Sequence, residues 1–234
     1  MGMAPATTML PMRQLPLPLA PDPLPSLDNF VPGDNQALLS YLRGLVLPSP
    51  PVYLWGPAGS GKTHLLQAVM QRAAQQGWQV HRFEPGPAED DALPSGLCLA
   101  VIDDCDGLDE AAQARAFRWF VDAATAGVQM LAAGRVPPVD LPLREDLRTR
   151  LGWGPVFAVS PLPESQMRAA LRQEAERRGV FLSDEVVDHL LTRFARNLKH
   201  LMGLLDRLDR FALARSRALT VPLLKQMIEE EGPP

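Results

Sequence analysis

The spacing of apolar residues changes twice along the chain and divides it into three stretches. In residues 1–26 the leucines are broken up by Pro16, Pro18, Pro21, Pro23 and Pro25, with almost no charge. Each proline fixes φ and removes a backbone donor, so this stretch predicts an extended tail. From Leu27 to about residue 160, short apolar runs alternate with stripes at helical spacing. The stripe Ala37, Leu38, Tyr41, Leu42, Leu45 predicts a helix over 34–47, and Leu65, Leu66, Val69, Met70, Ala73 a helix over 62–76. The segments 52–55, 78–83, 97–102 and 128–133 read as strands, with 97–102 the unbroken apolar run of a central parallel strand. A Pro/Gly/acid-rich loop is expected over 84–95. A helix over 109–124 follows, with Asp109 as its cap and Phe117, Phe120 and Val121 turned inward. After Pro161-Leu162-Pro163 only helical stripes remain. They predict a helix over 164–178 closed by Gly179 and one opened by Ser183-Asp184-Glu185 and striped by Val186, Val187, Leu190, Leu191 and Phe194. A third over 198–217 is striped by Leu201, Leu205, Leu208 and Phe211/Ala212, and Thr220 opens a last one with Pro222 in its first turn.

Strands that alternate with helices imply an α/β domain with a doubly wound parallel sheet, whose ligands sit at the C-terminal ends of the strands. The expected organisation is a tail over 1–26, that α/β domain over 27–160 and a small helical domain over 161–234.

Composition narrows the class. With 234 residues, 46% hydrophobic and 21% charged, the chain can bury a sizeable core as a soluble globular protein. No uninterrupted apolar stretch approaches the roughly 18 residues of a membrane span. The N-terminus lacks a signal-type apolar core, so a cytoplasmic location is expected. Cys98 and Cys105 have no metal-ligand company and read as reduced, buried thiols. A net charge of −4 gives no nucleic-acid footprint. The Arg-rich C-terminal part is balanced by acids, as a solvated helical surface is, so sequence-specific DNA contact is not expected.

The chemistry centres on Gly56-Pro57-Ala58-Gly59-Ser60-Gly61-Lys62-Thr63, which fits the phosphate-binding loop G-x-x-x-x-G-K-[ST]. Its glycines let successive N–H groups turn toward phosphate oxygens, Lys62 can reach the β/γ-phosphates, and the Thr63 hydroxyl can bind Mg²⁺. A strand before the loop and a helix after it supply the expected setting. About 40 residues on, Asp103 ends the 97–102 strand, where a carboxylate holds Mg²⁺ through water, and Asp104 is placed to orient an attacking water. Arg144, Arg148 and Arg150 cluster before Leu151-Gly152-Trp153-Gly154. On composition alone that cluster is a solvated basic helix end.

Taken in order, Trp55-Gly56 through Lys62-Thr63-His64-Leu65-Leu66, Ile102-Asp103-Asp104 and Leu147-Arg148-Thr149-Arg150-Leu151-Gly152-Trp153-Gly154 resemble the AAA+ region of the DnaA family of replication initiators. The likeness covers about residues 27–228. Phe30-Val31-Pro32-Gly33-Asp34-Asn35 is similar to the family's lead-in to the AAA+ domain, which lines the adenine pocket, so the resemblance implies nucleotide contacts from Phe30, Val31 and His64. It also implies that ADP or ATP with Mg²⁺ is bound, that Lys199 stands at the sensor 2 position, and that Arg150 is an arginine finger donated across an interface. The helical segment 161–234 then corresponds to an AAA+ lid. The DNA-binding domain that follows the lid in the DnaA family has no counterpart before the chain ends. Gln14-Leu15-Pro16-Leu17-Pro18-Leu19 is similar to the Q-L-x-L-P-L motif with which the Hda group of DnaA-related regulatory inactivators binds the sliding clamp. Gln14, Leu15, Leu17 and Leu19 would make those contacts. An extended, proline-stiffened peptide loses little entropy on docking.

The resemblance thus implies a regulator that stimulates ATP hydrolysis by DnaA and limits re-initiation of chromosome replication, with DnaA and the DNA polymerase III clamp as partners. Two departures bear on mechanism. The sensor 1 region reads Met130-Leu131-Ala132-Ala133-Gly134-Arg135 without a hydroxyl or amide, and Lys199 replaces the usual sensor 2 arginine. Weak or no hydrolysis by the chain alone is expected. An autonomous AAA+ ATPase of helicase-loader type and a membrane- or DNA-localised adaptor are the alternatives. The sequence leaves the oligomeric state open, self-association included.

Overall fold

The computed structural model describes residues 24–86, 93–96, 98–194 and 197–232. They form two compact units, 23–167 and one that includes 168–234. In the first unit, chain order runs α1 (Gln36–Arg43), β1 (Val52–Trp55), α2 (Lys62–Gln75), β2 (Val80–Arg82), β3 (Leu99–Ile102), α3 (Glu110–Ala126), β4 (Gln129–Gly134), α4 (Glu145–Leu151) and β5 (Val156–Ala158). The five strands are parallel in the order β2-β3-β4-β1-β5. The doubly wound parallel sheet is the architecture expected from the alternating pattern.

Period-two alternation on the strands sorts the core into two layers. Val52 and Leu54 of β1, Leu99 and Val101 of β3, and Leu131 and Ala133 of β4 face Leu38, Leu39 and Leu42 of α1 and Leu65, Leu66 and Val69 of α2. Tyr53, Ala100, Ile102, Met130 and Ala132 face the other way, onto Ala116, Trp119 and Phe120 of α3 and Leu147 and Leu151 of α4.

Several boundaries differ from expectation for local reasons. Helix α1 stops at Gly44, short of residue 47, and Pro48, Pro50 and Pro51 fill the approach to β1. On α3, Asp109 accepts from Ala112 N–H as the predicted cap. The buried face is Ala112, Ala116, Trp119, Phe120 and Ala123, which leaves Val121 exposed instead of inward. Trp119 takes the place expected of Val121 because the i, i+4, i+7, i+8 spacing runs through it. Helix α4 and strand β5 are short elements that the apolar periodicity does not predict. Strand β5 has only 3 residues and pairs on one side alone, so its apolar run is too brief to mark a strand by pattern.

The second unit continues α5 (Glu164–Arg177), in which the division between units falls, and adds α6 (Asp184–Arg193), α7 (Leu198–Arg215) and α8 (Val221–Glu231). Ser183, Asn197 and Thr220 cap α6, α7 and α8 by accepting from backbone N–H groups. Helix α8 packs on α6 and α7 through Leu223, Leu224 and Met227, all fully buried. No described helix is long and apolar enough to cross a membrane.

This helical unit holds one poorly solvated carboxyl. Arg178 is shared between Glu174 Oε1 at 2.7 Å and Asp206 Oδ1 at 2.9 Å, while Asp209 Oδ1 is buried with no hydrogen-bond partner among the described residues. Burial pushes the Asp209 carboxyl above its ordinary range, with Asp206 adding to the shift and Arg178 opposing it. A carboxyl whose folded pKa is raised binds its proton more tightly in the fold than in the unfolded chain. Its ionisation therefore weakens the fold as pH rises above the ordinary Asp value. Asp209→Asn should raise the melting temperature at pH 7 by about 2 °C or more. The gain should shrink toward zero near pH 4, a dependence that thermal unfolding followed by circular dichroism measures directly.

Candidate functional site

The P-loop connects the C-terminal end of β1 to the first turn of α2. Gly61 has φ +103°, a conformation that side chains rarely adopt, and a Cβ there would meet Phe30 Cε2 at 2.6 Å. Phe30 therefore lies directly on the loop. Its ring also meets His64 at 5.5 Å between centroids, and His64 Nε2 lies 3.0 Å from the Ser26 carbonyl oxygen. Asn35 ties the same lead-in to the end of the sheet: its Nδ2 donates to the carbonyls of Pro32 and Ser160, and its Oδ1 accepts from Ser160 N–H. The expected neighbours Phe30 and His64 are thus brought to the loop, with Val31 half-buried beside them.

Within the loop, Pro57, Ala58 and Gly59 are exposed, whereas Ser60 and Lys62 are buried, each with 6% exposure. Lys62 Nζ donates to the carbonyls of Gly56 at 2.7 Å and Pro57 at 3.0 Å. Burial lowers its pKa, and the charges of Asp104, Asp103 and Asp106 oppose that shift. Ser60 Oγ is buried without a hydrogen-bond partner among the described residues. A cation whose partners are the loop's own carbonyls and an orphaned hydroxyl together fit the donor set of a phosphate cradle. Thr63 stands exposed on the first turn of α2.

The acids follow β3. Asp103 is nearly enclosed, Asp104 is exposed in the left-handed region at φ 49°, and Asp106 is half-buried. Arg82 at the end of β2 reaches Asp103 Oδ2 at 3.3 Å. Arg135, just past β4, meets Asp106 twice, through N–H to Oδ1 at 3.0 Å and Nε to Oδ2 at 3.1 Å.

The end of β4 carries no polar side chain. Ala132 and Ala133 lie inside the strand and are fully buried, and the residue at its C-terminal edge is Gly134. A Cβ at Gly134 would overlap the hydroxyl of Tyr53 and approach Asp106 Oδ1 at 3.4 Å. Tyr53 is fully buried and donates to the Val136 carbonyl at 3.0 Å. The β1 tyrosine thus occupies the space that a side chain at 134 needs.

Arg150 lies elsewhere. On α4 it lines a cavity of about 330 Å³ with Pro48, Pro51, Phe120, Met130 and Trp153, at the N-terminal ends of β1 and β4. Its guanidinium stacks over Trp153 at 3.8 Å, and Asp146 pairs with Arg144 instead. Lys199 belongs to the helical unit, on the first turn of α7. Gln14, Leu15, Leu17 and Leu19 lie outside the described residues.

Residues 164–228 match the family model of the Hda lid domain. An uncharacterized protein of Haemophilus influenzae is 33% identical over 228 residues, which span 92% of this chain and 98% of that one. The chain belongs to the DnaA-related AAA+ family. Domain III of the Thermotoga maritima initiator DnaA superimposes with a TM-score of 0.70 at 20% identity, covering 93% of this chain and 100% of that one. AMPPCP-bound DnaA from Aquifex aeolicus gives 0.63 at 21% identity, over 90% of this chain and 71% of that one. These structures share the AAA+ fold with this chain.

For a DnaA-related chain, the residues that pattern reasoning missed are Arg82, Asp106, Arg135 and Tyr53. Asp106 was visible as the last acid of Asp103-Asp104-Cys105-Asp106, but strand pairing alone brings Arg82 and Tyr53 to their partners. The overlap at residue 134 has a direct check. Gly134→Ala should destabilise the protein by about 1–3 kcal/mol in denaturant unfolding, as overpacking does. In a Tyr53→Phe background, where the obstructing hydroxyl is gone, most of that cost should disappear.

Proposed function

We propose that this chain is a regulatory inactivator of the initiator DnaA. With ADP or ATP in its P-loop and its Gln14–Leu19 segment on the DNA polymerase III sliding clamp, it presents Arg150 to the ATP of DnaA. It thereby stimulates hydrolysis there and limits re-initiation in the cytoplasm. The observation that carries the reading is the separation of two cations along the strands. Lys62 sits at their C-terminal ends and Arg150 at the N-terminal ends of β1 and β4, so Arg150 is suited to a phosphate on another molecule. A guanidinium stabilises the charge spread over the transferring phosphoryl oxygens.

The family and the bound AMPPCP of the Aquifex aeolicus DnaA support the nucleotide assignment. Gly56 to Thr63 would hold the phosphates, with Phe30, Val31 and His64 on the base side. Among the described residues no group of three or more His, Cys, Asp or Glu could cage a metal. Mg²⁺ therefore fits as an ion shared with the phosphates, with Thr63 and Asp103 as the protein's contribution. Asp104 would orient water in any hydrolysis by the chain itself. The intact cradle and the two acids also suit the alternative, an autonomous AAA+ ATPase of helicase-loader type, but the closed position at Gly134 weighs against efficient turnover.

Two expected outcomes test the reading. Lys62→Ala should bind ADP and ATP at least about tenfold more weakly in calorimetry, since it removes the cation that meets the phosphates. Unchanged affinity would refute the site. Arg150→Ala should keep nucleotide and clamp binding yet lose most stimulation of hydrolysis by purified DnaA on clamp-loaded DNA. Fingers of this kind contribute roughly 10³–10⁵ in rate, and DnaA's own slow hydrolysis sets the floor. Arg150→Lys should recover little, because an ammonium lacks the planar fork. Removal of residues 1–20 should abolish stimulation in the same assay while leaving nucleotide binding intact. Full stimulation by Arg150→Ala would refute the finger. Rapid turnover by the chain alone would favour the autonomous ATPase.

A further inference from the structure

Both oxygens of Asp103 are engaged by the protein. Oδ1 accepts from the Asp104 N–H at 3.0 Å, and Oδ2 accepts from Arg82 Nη2 at 3.3 Å. The Asp103 side chain is 4% exposed, against 42% for Arg82. The partner arises from the sheet itself. Strand β2 pairs in parallel with β3 so that Arg82 stands opposite Val101, two residues before Asp103. From there its long side chain extends in the strand direction to the C-terminal edge. A carboxylate almost removed from water demands a countercharge, and a guanidinium supplies one that no accessible pH neutralises.

We propose that Arg82 is a resident countercharge for Asp103 that makes nucleotide binding by this chain nearly independent of Mg²⁺. The inference rests on the nucleotide-binding reading above and concerns how the site neutralises phosphate. Lys62 shares this edge with Asp103, Asp104 and Asp106, whose charges act on its ammonium. Arg135 is committed to Asp106. A di- or triphosphate adds several negative charges next to Asp103 and Asp104. Without Arg82, those carboxylates would repel the phosphates, and a divalent cation would be needed to bridge them. With Arg82 in place, one carboxylate is already neutralised from the protein side.

ADP titrations of the whole chain by calorimetry, in millimolar Mg²⁺ and in EDTA, test this. Wild-type affinity should change by less than about threefold between the two buffers, whereas Arg82→Gln should lose about tenfold or more when Mg²⁺ is withdrawn. Arg82→Lys, which keeps the charge, should lie close to wild type. A wild-type loss of tenfold or more in EDTA, or an Arg82→Gln protein as insensitive as wild type, overturns the proposal. Should Arg82→Gln fail to fold, the wild-type and Arg82→Lys titrations decide it alone, since strong Mg²⁺ dependence in either overturns it. Binding that depends strongly on Mg²⁺ removes only this inference. Absence of ADP binding by folded wild type in both buffers overturns the nucleotide reading and this inference together.

Discussion

Lys62 carries an ammonium into a place where only 6% of the residue remains exposed. An isolated charge moved out of water costs several kcal/mol, so the surrounding structure has to answer it. The carbonyls of Gly56 and Pro57 do so at hydrogen-bond distance, and Asp103, Asp104 and Asp106 do so through their charge. Those acids create a second requirement. Asp103 is itself nearly enclosed and takes Arg82, and Asp106 takes Arg135. The C-terminal edge of the sheet is thus a chain of alternating charges whose members come from β2, the turn after β3, the residue after β4 and the start of α2. No two of these strands are joined by a short turn. The arrangement depends on the parallel order β2-β3-β4-β1-β5, which puts all of these ends on one edge.

The same order separates the two cations Lys62 and Arg150 in space. Every strand in a parallel sheet ends on the same edge, so residues that precede the strands collect at the other one. Pro48, Pro51 and Met130 meet Arg150 and Trp153 there. The Arg150 guanidinium lies over the Trp153 ring at 3.8 Å, a contact that takes up none of its N–H donors. A salt bridge with Asp146 would have consumed them, but Arg144 occupies that carboxylate at 2.7 Å.

Much of this was legible in the residues and some was not. The strands at 52–55 and 99–102, the cap at Asp109 and the glycine loop carry strong local signals, because burial on both faces, side-chain capping and positive φ each restrict which residues fit. The apolar stripe predicts a helix to residue 47 and does not register that Gly44 closes α1. Apolar character alone does not fix helix phase, so Val121 turns outward and the larger Trp119 takes the core position. Strand β5 offers only the brief apolar run Val156-Phe157-Ala158, and the Arg82–Asp103 pair carries no local signal. One is an edge strand of 3 residues, and the other joins residues 21 apart that meet only once β2 is paired with β3.

Tyr53 and Gly134 show how a departure in one strand becomes intelligible in the next. Read alone, the stretch Ala132-Ala133-Gly134 lacks a polar group. In the sheet, the tyrosine of β1 extends its hydroxyl into the space beside Gly134 and donates to Val136. Burial, with Cys105 and Asp106 adding to it, keeps that phenol protonated, so it stays a donor committed to the backbone. Restoring a side chain at 134 therefore requires a change at 53 as well, and the hydroxyl lost there leaves the Val136 carbonyl to be satisfied by another group. The two positions are coupled through one atom's volume. A site organised in this way loses its polar group at the end of β4 without leaving a cavity behind. The loop before α2 is tied to the same strand end, since the Gly56 N–H donates to the Gly134 carbonyl at 3.3 Å. The backbone at the ends of β1 and β4 and the side-chain space beside residue 134 are thereby set by different atoms of the same two strands.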